Sequence, residues 1–104
     1  MPKLIVLYPP PVDVAEFERR YTLEHAPMVR NKIPGLKKFV AARVLGAPAG
    51  TAAYQRVAEL YFDSSEALQS GMASAEGQAA VAHAGEISTG GAPVVLIAED
   101  DAPV

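Results

Sequence analysis

The chain gives the signals of a strand, a helix and a strand twice in succession, and this order restricts its fold more than any other feature. Strands are predicted where apolar residues alternate with others. Helices are predicted to begin at Asp13, within 63–66 and at Ser74, where a carboxylate or hydroxyl can cap a first turn. The predicted elements are a strand over 3–8, a helix over 13–25, strands over 36–45 and 54–62, helices over 65–72 and 75–87, and a strand over 92–99.

Two split βαβ units in series predict an α+β fold of the ferredoxin-like βαββαβ type, with a four-stranded antiparallel sheet and helices on one face. With 104 residues, we expect a single domain over 1–104. The other face of the predicted sheet is also apolar in places, and an uncovered apolar sheet needs a partner. We therefore expect a homodimer, in which two sheets pack face to face as a dimeric α/β barrel.

The composition excludes several classes of protein. The chain has no cysteine, which rules out disulfides, thiol nucleophiles and cysteine-based metal centres. Its formal charge of −3 and its scattered basic residues argue against a nucleic-acid partner, and Lys37-Lys38 is more typical of a solvated strand edge. The apolar runs at 4–8 and 94–98 are far too short to cross a membrane, and the first residues do not form a secretory signal. A cytoplasmic protein is the simplest interpretation.

Pro27 interrupts a predicted helix two residues after His25. A proline at this point removes a backbone donor and clashes with the carbonyl four residues earlier. The spacing places His25 on one helix face with Phe17, Tyr21 and Met28. We therefore expect the helix to run to about residue 25 and a distorted turn to continue to about residue 32. His25 should lie on a buried stripe near freed carbonyls and a cavity.

Two interpretations of His25 remain open at this point. An ordinary imidazole has a pKa near ~6.5, which suits general acid–base chemistry at neutral pH. In the functional interpretation His25 is the acid or base, Tyr21 or Tyr61 supplies a hydroxyl, and Glu59 orients the imidazole. In the other interpretation, His25 is a core residue that bonds the carbonyls freed by the proline.

Glu59 and the tyrosines also allow two interpretations each. Glu59 lies between apolar residues of a predicted strand. It either faces a polar cavity, where burial raises its pKa and makes it a base, or it pairs with Arg43 or Arg56. The hydroxyls of Tyr8 and Tyr61 either orient a ligand or form the wet ends of packed rings.

His83 lies on an alanine-rich helix. Its small neighbours indicate close packing or a cavity into which the imidazole projects, and solvent exposure is the alternative. If His83 meets His25, a two-histidine site is conceivable, but a metal would need a third ligand such as Glu59, and the spacing matches no metal signature. Phosphate loops, dinucleotide fingerprints, haem signals and serine nucleophiles are absent, so we expect no metal and no cofactor.

Several short motifs resemble those of the EthD family, within the dimeric α/β-barrel superfamily. They are Tyr8-Pro9, Asp13, Phe17, Tyr21, His25, Pro27, Pro34-Gly35-Leu36, the AELYFD segment at 58–63, Ala67-Leu68, the SAEGQ segment at 74–78 and Gly90-Gly91. The motifs cover nearly the whole chain in compact order.

The resemblance implies a small-molecule protein of unsettled chemistry. The family is similar to a protein encoded with a cytochrome P450 system for ethyl tert-butyl ether degradation, and its members are often labelled reductases. Related barrels include muconolactone-type isomerases, cofactor-independent monooxygenases, polyketide cyclases and haem-binding enzymes. The family usually carries an acidic residue near the position of His83, so the imidazole is a departure that changes the proton chemistry.

Two functional hypotheses follow. In the first, the chain binds a hydrophobic, oxygen-bearing metabolite and acts as an oxidoreductase, isomerase or cyclase without a cofactor. Its expected catalytic residues are His25, Glu59 and Tyr21, and its expected substrate-binding residues are Tyr8, Tyr61, Phe17, Met28 and His83. In the second hypothesis the chain is a non-catalytic accessory protein for a partner oxygenase such as a cytochrome P450 system. A purely structural domain, the third alternative, predicts no pocket.

Overall fold

Four strands form one antiparallel sheet in the order β2-β3-β1-β4 in the computed structural model, which describes residues 1–102. The strands are β1 (Pro2–Tyr8), β2 (Leu36–Arg43), β3 (Arg56–Phe62) and β4 (Val94–Glu99). This order confirms the ferredoxin-like α+β fold. Each of the last three strands is shorter than predicted by two residues, because 44–45, 54–55 and 92–93 fall in loops.

Three of the five helical segments begin where the sequence places caps. The five segments are α1 (Val14–Arg20), a π-helical turn (Tyr21–His25), α2 (Ala26–Lys32), α3 (Ser65–Ala73) and α4 (Ala75–Ile87). Asp13 accepts a hydrogen bond from the backbone of Glu16, and Ser64 and Ser74 cap α3 and α4 in the same way. These capping residues are structural.

Pro27 is accommodated by a π-helical turn rather than by a break. The distortion lies at Tyr21–His25, where the N–H of Ala26 donates to the carbonyl of Tyr21, five residues back. Regular α-helix then resumes at Ala26–Lys32. The prediction of a distorted turn that continues to about residue 32 is therefore wrong. A proline at the start of an α-helix costs no hydrogen bond, which explains why α2 continues through it.

The π turn keeps a stripe of side chains in line. The buried residues of this helical segment recur every fourth position, at Phe17, Tyr21, His25 and Val29. In a regular α-helix such a stripe drifts by about 40° at each step. The wider π turn reverses this drift. Met28, which the sequence analysis placed on the stripe, is only partly buried, and Val29 takes its place.

Only one face of the sheet is covered. On the helix side, alternate residues of β1 and β3 are buried, namely Leu4, Val6, Tyr8, Ala58, Leu60 and Phe62. On the other side, which we call the open face, Ile5 and Leu7 are half-buried. The strand predicted to be buried on both faces is therefore buried on one, because no helix or strand among residues 1–102 covers the other.

β4 is the least covered strand of the sheet. Val95 and Ile97 pair with Val6 and Leu4 on the helix side, yet they are 53% and 68% exposed. The helices do not extend over this edge. The chain beyond β4 has no regular structure as far as Ala102, and the last two residues of the expected tail lie outside the described range. Within residues 1–102, no helix combines the length and apolar character that crossing a bilayer requires.

Candidate functional site

Four side chains form a continuous hydrogen-bonded chain from the sheet to the surface. The hydroxyl of Tyr8 lies 3.2 Å from Nε2 of His25. The Nδ1 atoms of His25 and His83 lie 3.0 Å apart, and the two imidazoles are parallel within 7°. Nε2 of His83 lies 3.1 Å from Oε1 of Glu24. We call these four residues the histidine chain.

The four members of the histidine chain come from three parts of the fold, because Glu24 and His25 share the π-helical turn. Tyr8 is the last residue of β1, and its ring packs against those of Phe17 and Tyr21 at centroid distances of 5.4 and 5.5 Å. His25 ends the π-helical turn. His83 lies in α4, so the contact between the two imidazoles joins the π-helical turn to α4. Aromatic packing thus fixes the buried end of the chain.

Burial keeps the inner groups uncharged. His25 is 4% exposed. Desolvation, together with the neighbouring His83, lowers the pKa of His25 to about 4, so its imidazole is neutral at pH 7. Burial likewise raises the pKa of the Tyr8 phenol above its ordinary value. The inner end of the histidine chain is therefore a neutral phenol beside a neutral imidazole.

The outer end of the histidine chain is charged and partly exposed. The hydrogen bond to His83, followed by that from Arg20, lowers the pKa of the Glu24 carboxyl. Nε of Arg20 lies 3.2 Å from Oε1 of Glu24. Nη2 of the same guanidinium lies 3.1 Å from Oε1 of Glu86. A carboxylate in contact with water thus terminates the chain.

A small apolar cavity of about 40 Å³ adjoins His25, between the sheet and helices α2 and α4. His25 supplies its only ionisable side chain. The other lining residues are Val29, Ile33, Phe39, Ala58, Leu60, Met72, Ala80, Val81 and Ala84. Ligand pockets are typically about 300–1,000 Å³. A metabolite would therefore have to displace adaptable side chains, for which the unbranched Met72 is best suited.

The predicted site residues separate into two groups. The structure brings Tyr8, Phe17, Tyr21, His25 and His83 together on the helix side of the sheet. His83 is mostly buried and hydrogen-bonded, so its exposed alternative is not observed.

The remaining predicted residues lie elsewhere. Met28 packs against the core but does not line the cavity. Glu59 and Tyr61 alternate with the buried residues of β3 and so lie on the open face.

Glu59 has a different partner from those considered in the sequence analysis. Nζ of Lys3 lies 2.8 Å from Glu59, 3.3 Å from the hydroxyl of Tyr61 and 2.8 Å from Asp100. We call these four residues the lysine cluster. Arg56, one expected partner, instead forms two hydrogen bonds to Glu18. Glu59 therefore does not orient His25, and Glu24 holds the carboxylate position at the end of the histidine chain.

Tyr21 is buried beside the histidine chain but is not part of it. Among the described residues, its hydroxyl has no hydrogen-bond partner. Burial raises the pKa of Tyr21 to about 12, so the phenol is protonated at pH 7. The guanidinium of Arg56 lies 4.5 Å from the ring centroid. A buried hydroxyl without a hydrogen-bond partner is rare in folded proteins.

The site offers no cage for a metal ion. Within residues 1–102, no group of three or more histidine or carboxylate side chains is arranged to hold one. The two imidazoles that meet are hydrogen-bonded to each other through Nδ1.

The sequence analysis missed Glu24 and most of the cavity. Val29 and Ile33 continue the spacing of four residues after His25, so the sequence pattern could have predicted them. Ala80 and Ala84 flank His83 at positions that face the cavity, which the alanine-rich composition only hinted at. Glu24 gave no signal beyond its position next to His25, because its contact with α4 depends on how the helices cross.

The fold places the chain among ferredoxin-like α+β proteins. A "dimeric ferredoxin-like protein of unknown function" from Jannaschia sp. CCS1 has a TM-score of 0.69 at 16% identity, covering 95% of this chain and 98% of that one. A candidate antibiotic biosynthesis monooxygenase from Caulobacter crescentus CB15 has a TM-score of 0.60 at 28% identity, covering 97% and 89%.

Within this class the family is defined by sequence. The EthD domain matches residues 9–87. An ethyl tert-butyl ether d (ethd) family protein from Bacillus halodurans C-125 is 37% identical with a TM-score of 0.91, covering 97% of this chain and 99% of that one. An uncharacterized 11.0 kDa protein of Rhodococcus erythropolis, named for the thcB-thcC intergenic region, is 30% identical over 100 residues and 96% of both chains. The chain belongs to the EthD family.

Proposed function

We propose that this EthD-family protein binds a hydrophobic, oxygen-bearing small molecule between its helices and its sheet, and that His25 exchanges a proton with it. The observation that carries the proposal is the placement of one neutral imidazole at an otherwise apolar cavity, in hydrogen-bond contact with the hydroxyl of Tyr8. Apolar walls select a hydrophobic ligand, and a few placed polar groups orient it.

Proton transfer is the chemistry that these residues favour. A neutral imidazole accepts a proton from a weakly acidic O–H or C–H group, and returning it to another atom completes an isomerase- or cyclase-type reaction. The hydroxyl of Tyr21, which is buried without a partner, supports the idea that an oxygen of the ligand binds beside His25. Likeness to a candidate monooxygenase supports, as a second reaction type, an oxidation of the ligand by dioxygen in which proton removal is the step supplied by the protein.

Thermal melting tests the ligand site. The wild type and His25→Ala are each melted with and without lactones, phenols, quinones and ethers, and each shift is taken against the same protein without ligand. A ligand at a hundred times its Kd stabilises the folded state by about 2.7 kcal/mol. We expect at least one class to raise the wild-type Tm and not that of His25→Ala.

A matched pair of variants locates the site independently of His25. Ala84→Val narrows the cavity, whereas Ala82→Val makes the same change on the exposed side of α4. We expect Ala84→Val to lose the ligand-induced Tm shift and Ala82→Val to keep it. Equal shifts in all four proteins would place the ligand elsewhere.

One observation favours the accessory alternative. Both ring nitrogens of His25 already have hydrogen-bond partners, and the cavity is small. A non-catalytic carrier for a partner oxygenase needs a pocket but no free catalytic atom. Following each stabilising ligand by mass spectrometry separates the alternatives. Conversion that is lost in His25→Ala supports the enzyme, and unaltered ligand supports the carrier.

The open face and β4 support a homodimer. Four consecutive apolar residues of β4, Val94–Ile97, are 38–68% exposed, and such a surface favours a second apolar layer. Sedimentation at micromolar concentration tests this. We expect a wild-type dimer, a monomer for Leu96→Lys on the open face, and a dimer for Leu45→Lys, whose loop position is 89% exposed. A wild-type monomer would contradict the proposal.

A further inference from the structure

His25 is buried and its pKa is lowered, so its imidazole is poorly suited to holding the proton that it takes from a ligand. Charging His25 would require an imidazolium at a site that is 4% exposed. His83 lies 3.0 Å away, next to the carboxylate of Glu24. The geometry therefore offers a second place for the proton.

We propose that the proton which His25 exchanges with a ligand is held on His83, beside Glu24, and that His25 passes it on by changing tautomer while staying neutral. The catalytic part of this inference rests on the proposed function, whereas the tautomer change is a property of the protein alone. His83 and Glu24 are positioning residues in this scheme, since neither touches the ligand.

In the uncharged state only one arrangement of hydrogen atoms fits the contacts. An ionised carboxylate can only accept, so Nε2–H of His83 donates to Glu24. Nδ1 of the neutral His83 is then bare, and it must accept from Nδ1–H of His25. Nε2 of His25 is bare in turn and accepts from the hydroxyl of Tyr8. In this state His25 is a base at Nε2.

One added proton reverses two of the three hydrogen bonds without moving a heavy atom. A protonated His83 donates from both nitrogens, to Glu24 and to Nδ1 of His25. His25 then carries its single hydrogen on Nε2 and donates it to the oxygen of Tyr8. His25 has become an acid at the same atom where it was a base, yet it is neutral in both states.

Proton transfer through this path is balanced and involves no redox change. A ligand acid gives its proton to Nε2 of His25, directly or through the oxygen of Tyr8, whose own proton moves to Nε2. The proton on Nδ1 of His25 moves to Nδ1 of His83 at the same time. Every bond made to hydrogen matches one broken. The ligand becomes its conjugate base, and the positive charge rests on His83.

The charges around His83 favour this outcome. Glu24 is its direct partner from the π-helical turn, and Glu86 lies on its own helix. Arg20 bridges Glu24 and Glu86, and Arg19 lies 3.7 Å from the second oxygen of Glu24. On the inner side, His25 and Tyr8 are neutral at pH 7. The carboxylate of Glu24 is thus the anion in direct contact with the stored proton.

Nitrogen NMR of the unliganded protein tests the tautomers directly. The chain has two histidines, so ¹⁵N-labelled protein without a histidine tag gives two imidazole spin systems. At high pH we expect the hydrogen on Nδ1 in His25 and on Nε2 in His83. As the pH falls and His83 takes up a proton, we expect the hydrogen of His25 to move to Nε2 at the same midpoint.

Two glutamate variants separate the path from the general surface charge. Glu24→Gln removes the anion in contact with His83, and Glu86→Gln makes the same change at a residue that shares Arg20 but does not contact His83. We expect the tautomer switch to move to lower pH in Glu24→Gln and to stay near its wild-type midpoint in Glu86→Gln.

The outcomes distinguish this inference from the proposed function. Two outcomes would overturn the inference whether or not a ligand is found. One is a hydrogen on Nε2 of His25 at high pH, and the other is a His25 tautomer that does not change when His83 is protonated. A coupled switch in a protein that binds no ligand would support the inference and leave the proposed function unsupported. If turnover is found, its pH profile should shift with the switch in Glu24→Gln and not in Glu86→Gln.

Discussion

A polar cluster on one face of the sheet can be compared with a polar cluster on the other, and the two differ in charge. On the helix side, the histidine chain begins with a neutral phenol and a neutral imidazole. On the open face, the lysine cluster consists of an ammonium, two carboxylates and a hydroxyl. Both clusters are anchored in β1, through Tyr8 and Lys3, which lie on opposite faces of the same strand.

Cover by helices accounts for the difference. Burial lowers the pKa of His25, because desolvation disfavours its charged form. The hydrogen bonds to Asp100 and Glu59 instead hold the pKa of Lys3 above its ordinary value. Charge is thus retained where water or an ion-pair partner is near, and it is suppressed beneath the helices. Beneath the helices, a polar residue without an ion-pair partner, such as His25, can therefore act as a neutral acid or base, whereas Arg56 is paired there with Glu18.

The largest effect should come from neighbouring aromatic residues of β3 that point to opposite faces. Phe62 is fully buried on the helix side, and Tyr61 lies on the open face. We expect Phe62→Ala to lower the free energy of unfolding by about 3–5 kcal/mol, since it leaves a cavity in the core. Tyr61→Ala should lower it by about 1 kcal/mol at protein concentrations low enough for the chain to be monomeric. Urea denaturation measures both.

This comparison also reports on the open face. If Tyr61→Ala costs as much as Phe62→Ala, a second layer covers the open face in solution, and the loss should then depend on protein concentration.

A smaller effect is expected from acid. The folded pKa of His25, about 4, lies below the value of 6.5 for an exposed histidine. The unfolded chain therefore binds the proton more readily, so stability is complete above pH 6.5 and is lost as the pH falls towards 4. At about 1.4 kcal/mol for each pH unit, the loss is about 3 kcal/mol.

His25→Phe isolates the acid effect, because phenylalanine does not titrate. Measured by urea denaturation, the free energy of unfolding of the wild type relative to that of His25→Phe should fall by about 3 kcal/mol from pH 7 to pH 4. Glu59→Gln, on the open face, should follow the wild type. A constant difference between wild type and His25→Phe would mean that His25 is not the buried base described above.

Much of the fold was predictable because it depends on local patterns. Alternation gave the strands, and Asp13 and Ser74 marked helix starts that the structure confirms. Phe17, Tyr21 and His25 are each four residues apart, and this spacing predicted the buried stripe. Pro27 indicated a distortion but not its position, because a π turn depends on hydrogen bonds that no residue type specifies.

The candidate site was only partly predictable, since its contacts join distant segments. Glu59 and Tyr61 belong to an apolar strand, and only the register with β1 decides which face each one takes. Glu24 and His83 are 59 residues apart in the sequence. Their contact depends on how the π-helical turn packs against α4. The choice of Glu59 over Glu24 as the orienting carboxylate therefore could not have been settled from the sequence.

The smallest effect should come from removing one hydroxyl on each face. Tyr8→Phe leaves Nε2 of His25 buried without its partner, which should lower the free energy of unfolding by about 1–2 kcal/mol. Tyr61→Phe removes a 3.3 Å contact with Lys3, which keeps its bonds to Glu59 and Asp100, so we expect no resolvable change. Urea denaturation at pH 7 compares the two. If Tyr8→Phe is as stable as the wild type, Nε2 of His25 has found another donor. The hydroxyl of Tyr21, which has no partner among residues 1–102 and whose ring centroid lies 5.5 Å from that of His25, is the donor that we would examine.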